Sequence, residues 1–374
     1  MDQSYPTGTA FRMVDATEAK ADGLRVWSPL LVPREAIEAE VERLAAGPLP
    51  ASGRRAALIV HPMSTAPGLG ISPGVDVTVS VLRPGEATVP ARRNSNQVEF
   101  CIRGRGTVLA DGQEIAVAKW GVWNMPSMRV HGYRNNGDDL FVRLSYSNAP
   151  LLEKLGTHFM EEGDAIRSSE AGAGRGPAAP SAYRRDTAPD FPVTEAGARL
   201  RGYEFLTDIE VVDNQVNYWP WEAVEPHLPA VPGDNKRGIL LLYNPATERR
   251  NGTTHSFFAT LSQSAPGSAP RPPGRGHRHS SVAINYHFKG AGSSVVDGQE
   301  FHWRAGDLML SAPSWSEHAH YPGPEGHAIL TVQDHPQQIG MESLIWQERI
   351  PGSILTLGSE AGQTGFVGPR QAGA

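Results

Sequence analysis

Short apolar runs interleaved with polar residues recur along this chain, and a turn signal breaks each of them within a few residues. Val77-Thr78-Val79-Ser80-Val81-Leu82 is rich in β-branched residues and stops at Pro84-Gly85, a turn pair. Leu308-Met309-Leu310 and Leu330-Thr331-Val332 repeat the pattern further on. Asp111-Gly112 and Asp297-Gly298 each sit between apolar runs. Both central residues of a type I′ turn need positive φ, so each of these pairs predicts a hairpin. Turn signals every ~8 to 12 residues predict a small sandwich or barrel built of short strands. One helix breaks the pattern. Pro33 opens it, Ile37, Val41 and Leu44 form one stripe, and Gly47 closes it. That stripe is expected to pack outside the first barrel or on a partner chain.

The pattern also occurs twice. Val81-Leu82-Arg83-Pro84-Gly85 aligns with Gln263-Ser264-Ala265-Pro266-Gly267, and Val98-Glu99-Phe100-Cys101-Ile102-Arg103-Gly104-Arg105-Gly106 with Ile284-Asn285-Tyr286-His287-Phe288-Lys289-Gly290-Ala291-Gly292. Asp111-Gly112-Gln113-Glu114 matches Asp297-Gly298-Gln299-Glu300, and Pro126-Ser127-Met128-Arg129-Val130-His131 matches Pro313-Ser314-Trp315-Ser316-Glu317-His318. Four blocks in one order at a nearly constant shift mark a tandem duplication. The expected division is an N-terminal arm with the helix (1–54), a first barrel (55–150), a linker (151–195), a second barrel (196–350) and a tail (351–374). The linker contains a small-residue stretch from about Ala171 to Pro189, and the tail is Gly-rich.

Composition narrows the function classes. At ~150 residues per domain, 374 residues suit two domains. Gly (40) and Pro (31) far exceed the usual ~12% combined share, which fits a turn-rich β protein. A net charge of −6 argues against a general nucleic-acid binder. No apolar run approaches the ~18 residues that would span a bilayer, and the single cysteine, Cys101, excludes a disulfide framework and a Cys-based zinc site. The N-terminus lacks the basic and apolar stretches of a secretory signal, so a cytoplasmic location is expected.

Of the 13 histidines, eight lie between His277 and His335. In His277-Arg278-His279, strand alternation turns both imidazoles to one face. His318 follows Gly306-Asp307 and Pro313-Ser314-Trp315, where a later strand should return beside the first. Three neutral imidazoles on neighbouring strands can grip one side of a divalent metal and leave the other side open. Taken singly, each of these histidines has a plain alternative as a core or surface residue. The duplication supplies a comparison: His277 corresponds to Ala91, His279 to Arg93 and His318 to His131. The first barrel is therefore expected to be a metal-free scaffold, with His131 structural. Arg92 and Arg93 offer an anion contact there or simply a solvated surface.

These residues resemble the cupin superfamily, and within it the bicupin ring-cleaving dioxygenases of the gentisate and salicylate 1,2-dioxygenase type. The first cupin motif reads His277-Arg278-His279, Asn285 and Gly292; the second reads Gly306-Asp307 and Pro313 to His318, continuing to His320. The motif's Glu ligand is Asn285 here, and its glycine before the last His is Trp315; gentisate-type enzymes likewise use three His without Glu. The working metal of those enzymes usually sits in the first cupin, whereas these motifs place it in the second. The resemblance implies an all-β protein with minor α, built as tandem double-stranded β-helix (jelly-roll) barrels. It implies Fe(II), with other divalent metals also compatible, held by His277, His279 and His318. O2 and a hydroxylated or amino-hydroxylated aromatic compound, such as a salicylate or gentisate analogue, would bind side by side and the ring would be cleaved. His320 is a candidate acid/base, and Asn285 and His287 are candidate contacts with barrel-facing parity. Arg271, Arg275 and Arg278 are candidate carboxylate anchors, and Trp315 a candidate ring contact. A homo-oligomer, dimer or tetramer, is expected. Two alternatives remain: another metal-dependent cupin enzyme (hydrolase, isomerase or lyase), and a non-catalytic bicupin that binds a small ligand.

Overall fold

The computed structural model describes residues 26–110, 112–163, 166, 190–201, 215–228, 238–267 and 276–356. Asp111, most of the small-residue stretch, Arg271, Arg275 and the chain beyond 356 lie outside the described residues.

The N-terminal part contains β1 (Leu30–Val32), α1 (Arg34–Ala46), β2 (Arg55–Ile59), β3 (Asp76–Leu82), β4 (Ala91–Arg93), β5 (Gln97–Arg103), β6 (Arg105–Ala110), β7 (Gln113–Ala118), β8 (Val122–Met125), β9 (His131–Arg134), β10 (Phe141–Ser147), α2 (Ala149–Lys154) and β11 (Met160–Glu162). A small hairpin follows, of β12 (Asp190–Pro192) and β13 (Arg199–Arg201). The C-terminal part contains β14 (Tyr218–Trp219), β15 (Gly238–Leu241), β16 (Phe258–Ser264), β17 (Arg278–His279), β18 (Val282–Val296), β19 (Gln299–Arg304), β20 (Leu308–Pro313), β21 (His318–Gln333), β22 (Ile345–Gln347) and β23 (Leu355–Thr356). The helix expected from Pro33 to Gly47 is α1, capped by those two residues; Ile37, Val41 and Leu44 are its buried stripe, and it lies on β2 and β3.

Two jelly-roll barrels result. The N-terminal one is a sandwich of two antiparallel sheets, β14-β8-β5-β10-β3-β2 and β11-β4-β9-β6-β7. The C-terminal one has the same plan in longer strands. β18 first pairs with β20 and the second half of β21; beyond Gly290 it pairs with β19 and the first half of β21, down to Val296 opposite His318. One bent strand thus does the work of β5 and β6. The bend uses glycine at the same repeat position in both barrels: Gly104 has φ +74° and Gly290 φ +73°. A Cβ at these positions would lie 2.1 Å from the Leu140 carbonyl oxygen and 1.9 Å from that of Gly326, so both conformation and space demand glycine. The predicted hairpins are present: Ala110 pairs with Gln113, and Asp297-Gly298, both at positive φ, joins β18 to β19.

Alternation along β5 and β18 divides the molecule. Phe100 packs its ring against Tyr286 (5.7 Å between centroids) and Phe288 (5.6 Å), in a core shared by both barrels. Glu99, Asn285 and His287 have the opposite parity and point into their own barrels. The barrels also exchange strands. β1, ahead of the first barrel, is added to β20 of the second, with Leu30 opposite Leu310. β14, ahead of the second barrel, is added to the equivalent strand β8 of the first, with Tyr218 opposite Trp123. Asp307 secures the first exchange: its Oδ1 accepts from the Arg34 N–H at the start of α1 (2.7 Å), and its Oδ2 accepts from the Arg304 N–H (2.8 Å).

Candidate metal centre

His277 and His318 face each other across an isolated antiparallel bridge. The His277 N–H donates to the His318 carbonyl (3.2 Å) and the His318 N–H to the His277 carbonyl (2.9 Å). Residues directly opposite in an antiparallel pair put their side chains on one face, so this bridge sets the two rings side by side, 4.5 Å between centroids. His279, two residues on, shares that face, and its ring lies 4.8 Å from that of His318. Ligand nitrogens of the three histidines all lie within 4.8 Å of one another; among the described residues this is the one such group of His, Cys, Asp or Glu.

Hydrogen bonds select the metal-binding tautomer. The Nδ1 of His279 faces the Ser281 carbonyl (2.7 Å) and the Nδ1 of His318 faces the Ser316 carbonyl (3.0 Å). A carbonyl only accepts, so both Nδ1 atoms carry the proton and both Nε2 atoms present a lone pair. Burial, and then the neighbouring His318 and His335 rings, holds His279 well below the ordinary histidine range, so it is neutral. Its Nε2 is buried with no hydrogen-bond partner. An imidazole trio with an orphaned lone pair on His279 fits a divalent cation, and no carboxylate is needed to complete the set.

Trp346 of β22 stacks on both His277 (5.2 Å, 16° between planes) and His279 (4.8 Å, 25°), while His279 pairs with Trp346 in the strand register. Neither Trp346 nor the Ser281 and Ser316 carbonyls stood out in the sequence. Trp346 lies beyond the last barrel strand with no motif spacing around it, and a backbone carbonyl carries no residue signature.

The remaining sequence-derived residues divide. His320 continues the His318 face: its Nδ1 meets Ser294 Oγ (2.7 Å), which also accepts from the Trp303 Nε1–H (2.9 Å), and its ring is 5.7 Å from that of His318. Asn285 lies inside the barrel, donating from Nδ2 to Ser311 Oγ (3.0 Å), with Oδ1 buried and unpartnered. His287 is fully buried, stacked 3.9 Å from Trp303, with neither ring nitrogen hydrogen-bonded. Arg278, a candidate substrate anchor, lies on the other side of the strand. Alternation turns it away from the face of His277 and His279, where its Nε donates to Gln347 Oε1 (2.7 Å) and its guanidinium lies over the Trp315 ring (4.6 Å). Trp315 is thereby engaged by Arg278 on that side. Arg271 and Arg275 fall outside the described residues.

The N-terminal barrel keeps the frame of this site without the ligands. Ala91 pairs with His131 as His277 pairs with His318, and the His131 Nδ1 faces the Arg129 carbonyl (2.9 Å), two residues back, as the His318 Nδ1 faces Ser316. Arg93 stands in the place of His279.

The chain thus folds as two jelly-roll barrels, one of them with an imidazole trio. The chain is 26% identical over 299 residues to 1-hydroxy-2-naphthoate 1,2-dioxygenase of Nocardioides sp. strain KP7, covering 78% of this chain and 70% of that protein. It is 24% identical over 267 residues to 5-aminosalicylate 1,2-dioxygenase of Comamonas sp., covering 68% of this chain and 64% of that protein. Among solved structures, salicylate 1,2-dioxygenase from Pseudaminobacter salicylatoxidans superposes with a TM-score of 0.68 at 16% identity, over 90% of this chain and 93% of that one. No protein-family model matches the chain. The structural likeness establishes the fold, and the sequence relatives are 1,2-dioxygenases by name.

Proposed function

We propose that this protein is an Fe(II)-dependent dioxygenase that opens the ring of a hydroxylated or amino-hydroxylated aromatic compound. The observation that carries the proposal is the imidazole trio with its buried, unpartnered His279 Nε2. The three names above support the reading, each being that of a 1,2-dioxygenase acting on a hydroxylated aromatic acid. His277, His279 and His318 hold the metal on one side. Bound there, Fe(II) supplies open coordination positions for O2 and substrate and a one-electron couple that lets them react.

The protein's own groups bind and orient. The buried Oδ1 of Asn285 needs a donor, and a phenolic O–H or amino N–H of the substrate provides one. His287 lines the same interior beside Trp303. His320, held by Ser294, is placed to take or give a proton on the rim next to His318. Arg271, Arg275 and Arg278, close to His277 in sequence, are the candidates for the carboxylate contact. Copies of the chain are proposed to associate through the sheet edges β2 and β15, in the cytoplasm, where ferrous iron and the Cys101 thiol stay reduced.

An oxygen-electrode assay tests this on protein purified without air and loaded with Fe(II). Salicylate, gentisate, 5-aminosalicylate and 1-hydroxy-2-naphthoate are offered in turn. Uptake of one O2 per substrate, with both atoms in a ring-opened product, is expected for at least one of them and should vanish in His318→Ala. Uptake that persists after chelation, or none from any compound, refutes the assignment.

A further inference from the structure

The N-terminal barrel, where the metal frame persists without its ligands, contains a second set of unsatisfied groups. His131 is 2% exposed, and its Nε2 is buried with no hydrogen-bond partner. Because its Nδ1 faces the Arg129 carbonyl, the proton sits on Nδ1 and the Nε2 presents a lone pair to the barrel interior. Ala91, directly opposite, has a methyl group where the other barrel has the His277 imidazole. Arg93 is two residues further along the same strand and therefore on the same face. Among the described residues its side chain makes no hydrogen bond or ion pair, and its Nε is buried.

Two neighbouring arginines are already matched, and burial pushes the Asp76 carboxyl, on which Arg93 acts, up to about 8. Arg143 lies over the Tyr133 ring (3.4 Å) and binds Glu99 (2.8 Å), and Arg54 is 3.4 Å from Glu162. Ser95 Oγ and Gln97 Oε1, both buried, also lack partners. Polar atoms left unmatched in this number mark a place where something else belongs.

We infer that the N-terminal barrel binds a small hydroxylated carboxylate, with the carboxylate on Arg93 and the hydroxyl donating to His131 Nε2. Two features set this chemistry. With the buried Asp76 carboxyl that Arg93 acts on held protonated up to about pH 8, the guanidinium calls for a single negative charge, which argues against a phosphate dianion. A lone pair at His131 repels a bare oxyanion and welcomes an O–H. Burial holds His131 neutral, with its pKa pushed down to about 3, so the lone pair persists across the working pH range. The cluster also rejects a metal, because an arginine replaces one imidazole and an alanine another. This site does not depend on the metal centre and stands whether or not ring cleavage is confirmed.

The test is a soak of crystals of the full-length, iron-loaded protein in 5-iodosalicylate, read by the anomalous signal of iodine, with calorimetric titration of salicylate and benzoate alongside. An iodine peak inside the N-terminal barrel beside His131 is expected. Arg93→Gln and His131→Phe should each weaken that binding event about tenfold or more, leaving iron content intact as evidence of folding, while Arg93→Lys retains it. Benzoate, lacking the hydroxyl, should bind there about tenfold more weakly than salicylate. Iodine confined to the C-terminal barrel, an N-terminal peak unchanged in Arg93→Gln, or equal affinity for benzoate would each overturn the inference.

Discussion

The single β-bridge between His277 and His318 brings two residues 41 positions apart into ring contact at 4.5 Å. Backbone geometry alone aligns two of the three imidazoles. Gly276, just before the bridge, is the weak point: a Cβ there would lie 2.1 Å from the His318 carbonyl oxygen. Gly276→Val, which leaves every imidazole in place, should force the bridge open and lower Fe(II) affinity about 10- to 100-fold, measured by chelator competition. Unchanged affinity would mean that the bridge does not set the site.

Trp346 stacks on both His277 and His279. Trp346→Ala should free both rings and cost about 10- to 100-fold in metal affinity, while Trp346→Phe keeps a stacking face and loses less. Chelator competition on the three proteins checks the order.

Asp76 at the start of β3 carries a testable pH signature. Burial pushes its carboxyl up to about 8; Arg93 opposes that shift, and Glu153 and Glu99 add to it. The folded protein therefore keeps a proton on Asp76 that the unfolded chain releases near pH 4. This group's contribution is full below that point and is lost as the pH rises toward 8. Asp76→Asn removes the loss, so its melting temperature relative to wild type should climb between pH 5 and pH 8. A difference that stays flat with pH would contradict the buried, protonated carboxyl.

Asp307 joins the two exchanged parts of the fold through its bonds to Arg34 and Arg304. Asp307→Ala leaves two backbone donors without acceptors and should cost about 1–3 kcal/mol, read by denaturant unfolding. A chain truncated before α1 should also lose stability, because β1 then no longer covers β20.

Much of this was legible beforehand because it depends on local pattern. The Pro33–Gly47 helix, both Asp-Gly hairpins and the parity of Asn285 and His287 follow from spacing along one element. The trio was legible because His-x-His fixes two side chains on one face and the repeat shows where the third strand returns. The strand exchange was not. β1 and β14 are 3 and 2 residues long, and their partners lie far away in sequence, so no periodicity announces them. Trp346 was silent for the same reason: it reaches the site through strand pairing with His279. Arg278 adjoins the trio in sequence, but the alternation that aims His277 and His279 at one face turns it to the other.

The account rests on which barrel holds the ion. Diffraction from iron-loaded crystals, recorded on both sides of the iron absorption edge, locates it directly. One iron peak enclosed by His277, His279 and His318 is predicted. A peak beside His131, or none in the C-terminal barrel, would contradict the account at its centre.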